Sequence, residues 1–344
     1  MKLTIETKAA QAAVKSLAKV VPAKPSLVIM GHLHIDADDG VAVLTGSDLD
    51  MTMRISVAAD GMTDAAWCLP FAPLSEFVGK AKGGEITVEV ADGIATLSSA
   101  RNRVKLSTMP GGDYPATNPP VPAAAEIDPK AVGSAVRFCA ASVEDSDVRY
   151  HIAGAHLATL NGTTHAWGTD GKSVHHVAMP EIPGIGAATI PVAACAVVVA
   201  TLDGADTAQM GLGEKGWHIV TPGVNAWGKV IDGGYPDMQS VLKQFKVWSD
   251  MVPQVRASDL VEAVDMASIG ADRDSTRARN VVVKAGDGIT IRGHKGTSGV
   301  MSAGRATLDC AAVPGFGAIL NGDKMRAAAN GLGGMLTITQ SDSK

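Results

Sequence analysis

The chain has 344 residues, 46% of them hydrophobic, and a formal net charge of −5. That length suits two or three domains, and that apolar fraction excludes a disordered chain. The acidic balance and an aromatic content of 4% exclude a protein coated in nucleic acid or one that stacks single-stranded bases on aromatic platforms. No uncharged apolar run reaches the ~18 residues a membrane helix needs, so no membrane partner is expected. The longest candidate, 190–202, is too short. Cys68, Cys139, Cys195 and Cys310 stand far apart with no Cys-x-x-Cys, and the first residues include Glu6 where a signal peptide needs an apolar core. The expectation is a cytoplasmic chain without a zinc motif or cofactor.

In chain order, Leu3-Thr4-Ile5 alternates as a strand, and 8–21 reads as a helix with Ala10, Val14, Leu17 and Val21 on its buried face. Lys8, Lys15 and Lys19 fall on another face, and Lys24 follows. A second helix is predicted over 73–82, then a hairpin in which Asp92-Gly93 turns 86–90 back along 94–97. The Pro-rich run 115–122 reads as a linker. A new unit begins near Ile127. Its helix over 129–141 buries Val132, Ala135, Val136 and Cys139 and carries Lys130 and Arg137 outside; its second helix covers 191–202. A second boundary falls at 245–253. The third unit begins near Val255, with Ser258 as N-cap and Leu260, Ala263, Val264 and Ala267 buried, while Asp259, Glu262 and Asp265 lie outside. A hairpin follows, 281–284 and 289–291 about Gly286-Asp287-Gly288, and a last helix over about 316–329. Each unit is α+β, antiparallel strands with two helices on one face.

The units are copies. Gly111-Gly112-Asp113-Tyr114-Pro115 returns as Asp232-Gly233-Gly234-Tyr235-Pro236, the tyrosines 121 apart, and Gly46-Ser47-Asp48 returns as Gly168-Thr169-Asp170, 122 apart. Two unrelated patterns at one step mark a repeat of roughly 120 residues. The expected domains are 1–118, 119–247 and 248–344, the last shorter than the period requires.

Motifs for catalysis fail. Gly211-Leu212-Gly213-Glu214-Lys215-Gly216 fits a dinucleotide pattern but leads into a strand, so it reads as a hairpin turn. Asp36-Ala37-Asp38-Asp39-Gly40 lacks the bidentate Glu of a calcium loop. Asp48 and Asp50 lack a nearby His or acid, His175 and His176 face opposite ways on a strand, and Asn161-Gly162-Thr163 is a bare sequon. No nucleophile–base set is identifiable, so the chain is not expected to be an enzyme. A metal hydrolase using Asp48, Asp50 and Asp170 is the weakest alternative.

The stretch Asp147-Val148-Arg149-Tyr150-His151-Ile152, Gly168-Thr169-Asp170-Gly171-Lys172-Ser173-Val174 and Met179-Pro180 resembles the middle domain of the bacterial sliding clamp family, the beta subunit of DNA polymerase III. Leu44 to Met51, Leu106 to Pro110 with Asp113-Tyr114-Pro115, and Lys229 to Asp237 with Val241-Leu242 fall into line. The resemblance runs over about 1–245 and weakens beyond. It implies three similar domains per protomer and a head-to-tail ring of two protomers around duplex DNA, a processivity factor without chemistry of its own. Lys8, Lys15, Lys19, Lys24, Lys80, Lys82, Lys130 and Arg137 become candidates for the ring's basic lining, and Arg149, Tyr150 and His151 match positions that approach DNA. Phosphate contacts without base readout permit sliding.

The resemblance further implies an apolar groove for short peptides of the replicative polymerase and the clamp loader. Ile152, Thr169, Gly171, Lys172, Val174, Pro236 and Val241 match it; Lys172-Ser173 and Ser240 depart from the usual basic residues there. Val104 and Leu106 match the edge strand where a homodimer partner joins, with Ile269 opposite. The family's closing strands and Met-Pro tail find no match in the last stretch, 336–344. The competing reading is therefore a clamp-like protein that binds partner peptides, as a decoy or regulator, without encircling DNA.

Overall fold

The computed structural model describes residues 2–61, 66–144, 149–243, 254–269, 271, 279–285, 289–293, 305–308, 317–332 and 335–337. Asp147, Val148, the 245–253 boundary, the 286–288 turn, Cys310 and the segment 338–344 lie outside them. The chain forms two compact units. One comprises Met1–Val136, Glu144–Ala166 and His176–Tyr235; the other comprises Arg137–Val143, Trp167–His175 and Pro236–Lys344.

The first unit is α+β. Helix α1 (Thr7–Leu17) buries Ala10, Ala13, Val14 and Leu17, and packs beside α2 (Phe71–Lys80). Helix α3 (Pro129–Ala140) starts in this unit; Asp128 accepts from the Lys130 and Ala131 amides and so caps it. Helix α4 (Val192–Leu202) has no charged residue and buries six side chains against strands of the second repeat.

Beneath the helices runs one antiparallel sheet. Its order is Ala125–Ile127, Ala208–Gly213, Gly216–Thr221, Val224–Gly228, Met51–Asp60, Lys2–Glu6, Glu85–Ala91, Ile94–Ser99, Asn102–Ser107. The first and second repeats therefore join by backbone pairing, Val224 opposite Ile55 through Gly228 opposite Met51. Arg54 stacks over Trp227 at 4.8 Å across that join, and Lys229 pairs with Asp50 at 2.7 Å. A further sheet runs Val174–Pro180, Thr163–Thr169, Gly154–Leu160, Ala188–Pro191. Its hairpin turn Asn161-Gly162 has both φ positive, as do Asp39-Gly40 and Asp92-Gly93, the geometry that suits strand twist. The sequon and the acidic 36–40 run are thus turn chemistry, and Gly211 to Gly216 closes a hairpin.

In the second unit α5 (Met238–Lys243) is followed by α6 (Ala257–Ser268) and α7 (Gly322–Leu332). Leu260, Val264, Val281, Val283, Ile289, Ile291 and Ala329 form one buried core, each aliphatic side chain of Leu or Ile size contributing about 1.5–3 kcal/mol. The strands run Arg305–Leu308, Ile289–Gly293, Asn280–Ala285, Gly317–Asn321.

Three expectations are corrected. Helix α1 ends at Leu17, because the amides of Val20 and Val21 turn back onto the Leu17 carbonyl, so Lys19 lies in the turn beyond it. Ser258 is inside α6, whose N-cap is Arg256; its hydroxyl bonds Asp259. The last helix starts at Gly322, since 317–321 is a strand paired with 280–285.

Candidate functional site

The recurring Gly-Ser/Thr-Asp motif builds one turn twice. In the first copy the Ser47 hydroxyl donates to the Met51 carbonyl at 3.0 Å and accepts from the Leu49 amide at 3.1 Å; Asp48 Oδ1 accepts from the amides of Asp50 (2.9 Å) and Met51 (2.8 Å). In the second, Thr169 donates to the Ser173 carbonyl (2.7 Å) and accepts from Gly171 (2.9 Å), and Asp170 Oδ1 accepts from Lys172 (2.9 Å) and Ser173 (2.7 Å). Side chains that bond backbone locally stabilise such turns. The repeat read from letters is a repeat of hydrogen bonds.

The recurring tyrosines carry a second duplication. Tyr114 packs against His34, ring centres 5.3 Å apart, and Tyr235 stacks on His156 at 4.4 Å with an interplanar angle of 5°. The two histidines are 122 residues apart, the step of the turns. Burial lowers the His34 pKa and brings that of His156 to about 4, so both rings are neutral at pH 7. Burial likewise raises the Tyr114 phenol, whose hydroxyl sits beside the Ser47 backbone; the two recurring motifs meet there in space.

Of the groove candidates, Thr169, Gly171, Lys172, Val174, Pro236 and Val241 fall in the second unit, Ile152 in the first. Thr169 is buried, Val174 and Val241 half-buried, Gly171, Lys172 and Pro236 exposed; Ile152 is buried. Pro236 precedes α5, which Asp237 caps: its carboxylate accepts from the Ser240 amide (3.1 Å) and hydroxyl (2.6 Å). Those bonds hold the Asp237 carboxyl below its ordinary value. Behind the 169–173 turn, Lys324 of α7 donates to Asp170 Oδ2 and to the Ser142 carbonyl. Burial pulls the Asp170 pKa up, but the bonds from Lys324, the Lys172 and Ser173 amides and the Ser173 hydroxyl outweigh it and hold the carboxyl well below the usual range. His175 faces the other way from His176: its Nδ1 bonds the Phe138 carbonyl at 2.7 Å, whereas His176 shares a 2.9 Å bond with His165. Asp48, Asp50 and Asp170, the carboxylates considered for a metal, are held by amides, by Lys229 and by Lys324 respectively.

Lys8, Lys15, Lys19, Lys24, Lys80, Lys82, Lys130 and Arg137 are all exposed. Lys8 and Lys15 are on α1, Lys130 and Arg137 on α3; Lys19, Lys24 and Lys82 lie in the segments after helices. Lys80 pairs with Glu76 one turn earlier on α2. Arg149 and Tyr150 are exposed, Tyr150 at 64%, and the His151 ring sits edge-on to Tyr150. Val104 and Leu106, half-buried, lie on Asn102–Ser107, which among the described residues pairs only with Ile94–Ser99. A cavity of about 510 Å³ beside it is lined by Pro73, Phe77, Lys80, Arg103 and Val104. Ile269 follows α6 and is 58% exposed.

His34, His156 and Lys324 belong to the site but to none of the motifs of the sequence. The histidine step was visible at the spacing of the tyrosines; Lys324 carried no local signal, since Asp170 lies 154 residues away.

The structure overlays the DNA polymerase III beta subunit of Pseudomonas aeruginosa with a TM-score of 0.78 at 18% identity, covering 100% of this chain and 94% of that one. For the Bacillus subtilis sliding clamp the TM-score is 0.76 at 19% identity, covering 98% and 92%. The fold is that of the beta sliding clamps. In sequence, residues 1–118 match the model for the N-terminal domain of the DNA polymerase III beta subunit. The beta sliding clamp of Escherichia coli K12 is 25% identical over 268 residues, 75% of this chain and 73% of its own length; that of Micrococcus luteus is 26% identical over 285 residues, 80% and 90%. Residues 1–118 thus carry the N-terminal domain of the DNA polymerase III beta subunit family, and over most of its length the chain is similar to the sliding clamps.

Proposed function

We propose that this chain is a DNA polymerase processivity factor with no catalytic activity: two protomers, each of domains 1–118, 119–247 and 248–344, close head to tail around duplex DNA. The join between the first two repeats carries this reading. There Val224–Gly228 pairs with Met51–Asp60 to run one sheet through two repeats. Asn102–Ser107 offers the same kind of edge, and an open edge is a template for pairing with another chain. Val104, Leu106 and Ile269 of a second copy supply its apolar contact. The exposed cations Lys8, Lys15, Lys19, Lys24, Lys82, Lys130, Arg137 and Arg149, with Lys80, Tyr150 and His151, meet phosphates without reading bases. Peptides of a polymerase and a clamp loader bind over Ile152, Thr169, Gly171, Lys172, Val174, Pro236 and Val241, an apolar anchor with a polar rim.

Light scattering behind a sizing column tests the ring. The expected mass is twice the 35.2 kDa of one chain, and protein loaded on nicked circular DNA should be released when the DNA is cut. A monomer at every concentration, with DNA retention indifferent to cutting, would overturn encirclement and favour a peptide-binding protein that does not surround DNA.

A further inference from the structure

The two copies of the Ser/Thr-Asp turn differ in one respect. Asp48 caps its own turn in the first repeat. Asp170 makes the same two amide bonds and, in addition, takes the ammonium of Lys324. The side chains of Lys324 and Asp170 are only 16% and 15% exposed, against 68% and 74% for the surface pair Lys229–Asp50. Exposed pairs contribute little, whereas removing one member of a buried pair leaves a charge without compensation.

Lys324 also donates to the Ser142 carbonyl at 2.9 Å, and Ser142 is itself buried, its hydroxyl bonded to Cys139. One ammonium thus ties together the end of α3, the 169–173 turn and the first turn of α7. The far end of α7 is seated too: a Cβ on Gly331 would lie 2.7 Å from the Phe138 ring, and Phe138 stacks on His175 at 4.4 Å. The loop that presents Gly171, Lys172 and Val174 therefore rests on α7 through a half-buried ion pair.

We propose that Lys324 is a positioning residue which, through Asp170, fixes the 169–173 turn in its peptide-binding conformation and so makes peptide affinity depend on the seating of α7. This rests on the groove reading given above. Lys324 need not touch the peptide; it acts through the turn, and a preorganised loop binds more tightly because it loses less freedom on binding.

The test uses the full chain, a fluorescein-labelled synthetic hexapeptide with a polar N-terminal half and two apolar residues at its C-terminal end, and hydrogen exchange at the amides of 171–173. Lys324→Met should weaken the peptide at least about tenfold and speed exchange at Lys172 and Ser173, while Lys324→Arg restores both. Asp170→Asn, which keeps the shape and removes the charge, should repeat the Lys324→Met result and substitutes for it if that variant does not fold. Unchanged affinity and exchange in Lys324→Met or Asp170→Asn would overturn the proposal, as would equal loss of affinity in Lys324→Arg. If the unaltered chain does not bind the peptide, the groove reading fails. The exchange measurement then decides alone: faster exchange keeps Lys324 as the lock of the turn, unchanged exchange removes it.

Discussion

Leu49 holds φ at +80°, and Gly171, its counterpart in the second turn, holds +77°. The left-handed region costs an L residue about 1–2 kcal/mol, and glycine nothing sterically. Leu49 is 40% exposed, so its side chain returns only part of that. Leu49→Gly should therefore leave stability unchanged or raise it by up to about 1 kcal/mol, while Gly171→Ala should lower it by about 1–2 kcal/mol. Urea unfolding of both variants reads this; a clear loss in Leu49→Gly would refute the strain argument. His156 makes a prediction about pH. Its folded pKa, about 4 through burial, lies below the unfolded value of about 6.5. The unfolded chain binds the extra proton between those values, so the stability owed to the neutral ring is full above about pH 6.5 and is lost as pH falls towards 4. His156→Phe keeps the stack on Tyr235, and should flatten the stability profile in that window by up to about 1.4 kcal/mol per pH unit. An unchanged slope would mean that His156 already binds its proton in the folded state.

The elements that were legible in the sequence are those whose partners are local. The buried faces of α1, α3 and α6 followed from spacing, and Ala10, Val14, Leu17, Val132, Val136, Leu260 and Val264 are all buried. The Asp92-Gly93 hairpin followed from its turn residues. Where a short apolar run serves equally as strand or helix, spacing is silent: 317–321 was read into a helix and is held as a strand by pairing with 280–285. Ser258 resembled a cap, but the helix begins one residue before it. In the candidate site the turns were legible because their bonds run between neighbours, and Lys324 was not, because its partner is set only by tertiary packing. The join of repeats is likewise tertiary. Thr52 Oγ1 meets Thr117 Oγ1 at 2.9 Å, Arg54 donates to the Thr117 carbonyl at 3.3 Å, and its guanidinium lies over Trp227. A half-exposed cation–π contact is worth about 0.5–1 kcal/mol. Arg54→Ala should lower stability by about 1 kcal/mol, and Arg54→Lys by less, measured by urea unfolding. Equal stability of all three would show that the backbone pairing alone carries the join.

For the whole molecule the question is how an acidic chain, with 35 acidic and 30 basic residues, would hold a polyanion. On the ring reading the answer is distribution rather than sum. The exposed side of α1 and of the segment after it offers Lys8, Lys15, Lys19 and Lys24, and α3 offers Lys130 and Arg137. The equivalent α6 offers Asp259, Glu262 and Asp265, of which Asp259 is answered by Arg256 and Asp265 by Arg326. Attraction to DNA would then come from the first two domains, with the third contributing closure rather than charge. Each phosphate contact released contributes about 0.9 to the slope of log affinity against log salt. Reversing Lys15, Lys19 and Lys24 to Glu should lower that slope by roughly 3 and weaken loading, with the fold intact because all three are solvent-exposed. Glu262→Lys, on the acidic face, should leave the fold untouched and raise the slope by about 1 if α6 faces DNA, and leave it unchanged if α6 does not. Retention on nicked circular DNA across a salt series measures both. A slope indifferent to the three lysine reversals would mean that α1 does not face the duplex, and would remove the electrostatic ground for placing DNA against the helices.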